Sequence, residues 1–122
     1  MVSGEKFAHS FGMIALLEEN KNAVENTIEE IDKNLTLDLR LARKEQENPN
    51  WITYRYTVTF GTSYYLPFAV MENILQSYKD GGWRCQVNGP QKTCLAECPG
   101  YNVTFQIFIK VWKNGQTEVI RV

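Results

Sequence analysis

Hydrophobic and polar positions change period several times along the chain, and those changes outline its elements. In the N-terminal third, Phe7, Ile14, Lys21 and Ile28 fall on one seven-residue series and Ser10, Leu17, Val24 and Ile31 on its partner, so six of these eight positions are apolar. That spacing predicts one long helix from about Glu5 to Lys33, with a narrow apolar stripe and an acidic remainder carrying Glu18, Glu19, Glu25, Glu29 and Glu30. At 1.5 Å per residue it would reach about 43 Å, longer than a small domain is wide. Two arrangements follow: the helix lies across the chain's own sheet, which is the favoured reading, or it pairs with the helix of a second copy. Lys21 weakens a purely apolar pairing.

The period then falls to two. Leu35, Leu37, Leu39 and Leu41 alternate with Thr36, Asp38, Arg40 and Ala42, and Ile52, Tyr54, Tyr56, Val58 and Phe60 alternate with Trp51, Thr53, Arg55, Thr57 and Thr59, the signature of two half-buried strands. Arg43 to Asn50 contains no apolar residue and reads as a solvated connection between antiparallel neighbours. A second helix starts near Pro67 and ends near Asp80. Phe68, Met71, Leu75 and Tyr78 form its stripe, Val70 and Ile74 widen it, and Gly81-Gly82 stops it. A short strand, Trp83 to Val87, precedes an irregular segment from Asn88 to Gly100, long enough to be a second candidate site.

The last stretch, Tyr101 to Val122, reads as a hairpin. Val103, Phe105, Ile107, Ile109 and Val111 alternate with Asn102, Thr104, Gln106, Phe108 and Lys110, and Asn114-Gly115 supplies the turn. A type I′ turn there would set Lys113 opposite Gln116, Ile109 opposite Ile120 and Ile107 opposite Val122. Together these elements predict an α+β fold: a two-layer sandwich with a mainly antiparallel sheet of about five strands and two helices, in the order α-β-β-α-β-β-β.

Composition adds bounds. The 122 residues suit one domain, 1–122, and 43% hydrophobic with 22% charged residues is an ordinary globular balance. A net charge of -1 argues against strong sequence-independent binding of nucleic acid. With no apolar run of membrane-spanning length and no uninterrupted apolar leader, a soluble cytoplasmic protein is expected. Cys85, Cys94 and Cys98 are odd in number, so free thiols are expected rather than a disulfide framework.

Candidate chemistry is sparse. His9 has no partner in the pattern, and Cys94, Cys98 and Cys85 fall one ligand short of a structural zinc site, so neither metal nor cofactor is expected. There is no glycine-rich phosphate loop, nucleophile elbow or HExxH pattern, so an enzyme is not expected. The polar sheet face is richer. The strand alternation places Arg40, Arg55, Arg84, Lys110 and Arg121 there with Thr53, Thr57, Thr104, Gln106, Phe108 and Trp112. Guanidinium forks match phosphate or carboxylate, and outward rings on polar strands call for a cover. Arg40, Arg55, Arg84, Phe108, Lys110, Trp112 and Arg121 are therefore the candidate ligand-binding residues.

The leading expectation is a non-enzymatic binding or inhibitory protein, homo-oligomeric through its N-terminal helix. It would engage a partner protein or a small anionic, nucleotide-like ligand through that face or the 88–100 loop. Binding of RNA or single-stranded DNA is the alternative that uses the same rings and cations, disfavoured by the acidic first helix; a structural subunit of a larger assembly is the third. In its small size, its lack of a catalytic signature and its helix-Gly81-Gly82-Trp83-strand junction the chain loosely resembles accessory proteins encoded by bacteriophages, including inhibitors of host systems. No residue role follows from that resemblance.

Overall fold

Two long strands carry the architecture. The computed structural model describes residues 3–90 and 100–121. In it β2 (Trp51–Gly61) and β4 (Tyr101–Trp112) run antiparallel over their whole lengths, from Trp51 opposite Trp112 to Gly61 opposite Asn102. β1 (Ala42–Glu47) pairs on the far side of β2. The other edge of β4 is shared, with β3 (Arg84–Pro90) along its first half and β5 (Thr117–Val119) along its second. The result is a five-stranded antiparallel sheet with three helices, α1 (Gly4–Glu19), α2 (Lys21–Asn34) and α3 (Phe68–Asp80), an α+β fold as the patterning predicts.

Period-two alternation sorts the sheet into two faces. Val58, Phe60, Val103, Phe105 and Cys85 point to the helices, where Ile31 of α2, Leu66, and Val70, Met71, Ile74 and Leu75 of α3 close over them. Phe105 is the centre of this core. Phe60 stacks on it at 5.6 Å between ring centroids, and Tyr78 and Trp83 meet it edge-on at 5.3 and 6.0 Å. The Tyr78 hydroxyl donates to Asp32 Oδ1 at 2.7 Å, tying α3 to α2; burial first, and then that hydrogen bond, push the phenol above its ordinary range.

The structure departs from the sequence pattern in four places. The N-terminal helix is broken at Asn20, whose backbone (φ -105°, ψ 16°) leaves the helical region while its side-chain amide donates to the Leu16 carbonyl at 2.8 Å. An Asn side chain that competes for backbone groups in this way ends one helix as the next begins. Of these two helices only α2 contributes fully buried side chains; Phe7, Phe11 and Ile14 of α1 face outward. Secondly, Leu35 to Leu41 is no strand. It crosses in irregular conformation, with the Tyr56 hydroxyl donating to the Thr36 carbonyl, and closes in a 3-10 turn over Leu39–Leu41.

Thirdly, β1 occupies the charged stretch expected to be a loop. Asn48 Oδ1 accepts from the amides of Asn50 and Trp51 at 2.7 and 3.0 Å, a tight turn that folds Arg43 to Glu47 back on β2 although they carry no apolar side chain. A bulge between Lys44 and Gln46 frees the Gln46 amide, which donates to the buried Thr53 hydroxyl at 3.0 Å.

Lastly, the C-terminal hairpin is one residue out of the expected register. Asn114 does not take positive φ; Gly115 alone does, at 94°, with its amide donating to the Trp112 carbonyl and the Trp112 amide to the Gln116 carbonyl, both at 2.9 Å. This is a three-residue loop with a glycine bulge rather than a type I′ turn. Ile109 therefore faces Val119, and Lys110 faces Glu118.

Candidate functional site

The sheet face away from the helices is uncovered in the described residues, and its rows follow from the register. Trp51 lies beside Trp112, Thr53 beside Lys110, Arg55 beside Phe108 and Thr57 beside Gln106. β1 extends the third row by setting Arg43 directly opposite Arg55, and β3 extends the fourth by setting Arg84 opposite Gln106. Like charges directly opposite each other destabilise a sheet unless something else meets them. Here Glu45 meets one: its Oε1 lies 2.9 Å from Arg55 Nε. Arg43, Arg84 and Lys110 form no ion pair among the described residues.

A cleft of about 410 Å³ opens where the 3-10 turn passes the edge of this face, lined by Arg40, Leu41, Arg43, Arg55, Thr57 and Gln106. Its floor is fixed by a hydrogen bond from Gln106 Nε2 to Thr57 Oγ1 at 3.2 Å. Arg40 reaches it from the turn, where it grips Asp38 with two parallel bonds of 3.0 Å and is held at the turn's start by a third, from its own amide. Those hydrogen bonds hold the Asp38 carboxyl below its ordinary range and raise the Arg40 guanidinium above its own. Three guanidiniums thus border one concavity, accompanied by two carboxylates, Asp38 and Glu45.

Next to the cleft the rings hold cations. The Arg84 guanidinium carbon lies 4.4 Å from the Phe108 ring centroid, and the Lys110 ammonium sits 4.4 Å from Trp51 and 4.2 Å from Trp112. Five of the seven sequence-derived candidates, Arg55, Arg84, Phe108, Lys110 and Trp112, share this face, and Arg40 joins at its edge. Arg121 does not. The hairpin register turns it toward the helix side, where its Nη1 donates to the Asp80 carbonyl at 3.2 Å and its guanidinium passes close to Gly82.

Arg43, Glu45 and Trp51 belong to the arrangement and were not among the candidates. Trp51 could be found from the alternation of β2 alone. Arg43 could be found only by counting back from the Asn48-Pro49-Asn50 turn, because β1 has no hydrophobic alternation of its own. Of the second candidate site, the 88–100 segment, residues 91–99 lie outside the described residues, as do Cys94 and Cys98; residues 84–90 are strand. Cys85 faces the core as a free thiol, and burial pushes it up to about 11. Among the described residues no group of acids, histidines and cysteines could hold a metal ion, and no helix is long and apolar enough to cross a membrane. Compared with protein-family models, with curated proteins and with solved structures, the chain matches none.

Proposed function

We propose that the chain is a non-enzymatic binding protein whose uncovered sheet face holds a small ligand with more than one anionic group, in the manner of a nucleotide. The observation that carries this reading is the convergence of Arg40, Arg43 and Arg55 on one cleft, where Arg40 is paired with Asp38, Arg55 with Glu45, and Arg43 with no carboxylate among the described residues. A guanidinium fork donates two parallel bonds to a phosphate or carboxylate, and an incoming dianion relieves the repulsion between Arg43 and Arg55 that the register imposes. The state of the rings favours a small ligand over a nucleic-acid strand. Phe108 is covered by Arg84 and Lys110 fills the space between Trp51 and Trp112, whereas strand binding wants a run of open ring faces.

Calorimetric titration with inorganic phosphate, pyrophosphate and nucleoside diphosphates tests the proposal. Binding of at least one of these is expected, weakened by about tenfold or more in R43A/R55A, since each substitution removes a charge-assisted bond. No binding of any probe at millimolar concentration, or equal affinity in the folded double variant, refutes it.

A further inference from the structure

The helix side of the sheet is only half covered. Beyond Ile107 no helix lies over it among the described residues, and an apolar groove of about 290 Å³ runs between Leu37, Leu39, Tyr54, Tyr56, Ile109 and Val111. A smaller hollow of about 140 Å³ continues it, sharing Leu37, Tyr56 and Ile109. Leu37 and Leu39 stand 91% and 79% exposed on its rim. The same chain carries a second unpartnered apolar surface. On α1, Phe7, Phe11 and Ile14 are 65%, 63% and 66% exposed, at the i, i+4, i+7 spacing with which a helix lays its anchors into a groove.

We propose that these two surfaces are each other's partners between two copies of the chain: α1 of each protomer lies in the groove of the other, closing a twofold dimer. This is independent of the anion-binding reading, because the groove and the arginine cleft are on opposite faces of the sheet. Dimensions fit. From Phe7 to Ile14 the stripe covers about 10 Å of helix, and Ile107 to Val111 covers about 13 Å of strand.

Area decides between this arrangement and simple pairing of two α1 helices. Taking roughly 150–200 Å² for a whole side chain of this kind, the α1 stripe exposes about 350 Å². Stripe against stripe would therefore bury about 350 Å² per copy, well under the roughly 800 Å² per partner of a stable interface. Adding Leu37 and Leu39 raises the exposed apolar area to roughly 600 Å², and the half-buried Tyr54, Tyr56, Ile109 and Val111 bring reciprocal exchange to the required size.

Leu16 and Leu17 hold the C-terminal end of α1 against the molecule's core, so the stripe of the same copy stays where it is.

Light scattering of the full chain from low to high micromolar concentration reads the proposal out, with circular dichroism as the control for folding. A dimer is expected for the wild type, and F7E/F11E on the helix and L37E/L39E on the groove rim should each weaken it by about 30-fold or more, the size of a central anchor. All four side chains are exposed in the protomer, so both variants should keep the wild-type circular dichroism. Mixed together, the two variants retain one intact helix-groove contact per pair and should form a heterodimer that neither forms alone. A wild type that stays monomeric, a dimer untouched by L37E/L39E, or open-ended growth with concentration overturns the closed exchange.

Discussion

Replacing Lys110 with Met tests whether the cation between Trp51 and Trp112 holds the sheet face together or is held ready for a ligand. The ammonium lies within 4.5 Å of both ring centroids, at 4.4 and 4.2 Å, on a half-buried strand position. One such contact is worth about 0.5–1 kcal/mol at an exposed site and more when water is excluded, so the pair contributes about 1–2 kcal/mol. Glu118, its cross-strand neighbour, adds a few tenths at most, since no ion pair forms between them among the described residues. Methionine keeps an unbranched apolar stem between the rings and removes the charge. K110M should therefore lose about 1–2 kcal/mol in urea unfolding, and its melting point should fall by about 5 °C or more in a domain of this size.

A double-mutant cycle with W112L isolates the contact and should return a coupling of about 0.5–1 kcal/mol. Stability unchanged within about 0.3 kcal/mol, with no coupling, refutes the sandwich as an energetic feature. The outcome also assigns labour within the site. A lysine committed to two rings is a poor anion ligand, so K110M should bind pyrophosphate within about twofold of the wild type while R43A/R55A does not.

Two further outcomes follow from particular side chains. Burial raises the Cys85 thiol from its ordinary 9.0 to about 11, so its contribution to stability is complete below about pH 9 and is lost as pH rises through about 11. In a C94A/C98A background the urea midpoint should exceed that of the further C85A variant by less at pH 11 than at pH 8, and a constant difference refutes the assignment. Gly115 takes φ 94° with open space around the position of a Cβ, so G115V should cost backbone strain alone, about 1–2 kcal/mol in urea unfolding; a neutral substitution would mean that the hairpin uses another turn.

Elements with a side-chain period were legible in the sequence. β4 as far as Ile107 and α3 each bury one regular stripe, and for them pattern and burial agree, apart from Phe68, which stays half out while Val70 and Ile74 go in; β2 alternates as read, but its apolar row is only half-buried and its one buried side chain is Thr53, on the polar face. The leucine alternation at 35–41 misled because period alone does not show that a surface is available to bury it: Leu37 and Leu39 remain in solvent. β1 was invisible for the converse reason, since turn chemistry and a long partner strand create it without hydrophobic side chains. For the site, the outward direction of Phe108 and Trp112 followed from alternation along β4. The place of Arg121 did not, because Asn-Gly serves two hairpin geometries whose registers differ by one residue, and one residue exchanges the faces.

The composition of β1 has a bearing on how the molecule meets its own kind. It is an outermost strand, and Ala42 to Glu47 carry two positive charges followed by two negative ones along it, kinked where the pairing skips Glu45. On the opposite border the rim is interrupted between β3 and β5. A neighbouring polypeptide therefore finds no flat, greasy template on which to add a rung of main-chain bonds, and growth into fibrils is discouraged on both sides. Crowded copies are left to associate through their broad surfaces, in arrangements that can close and stop.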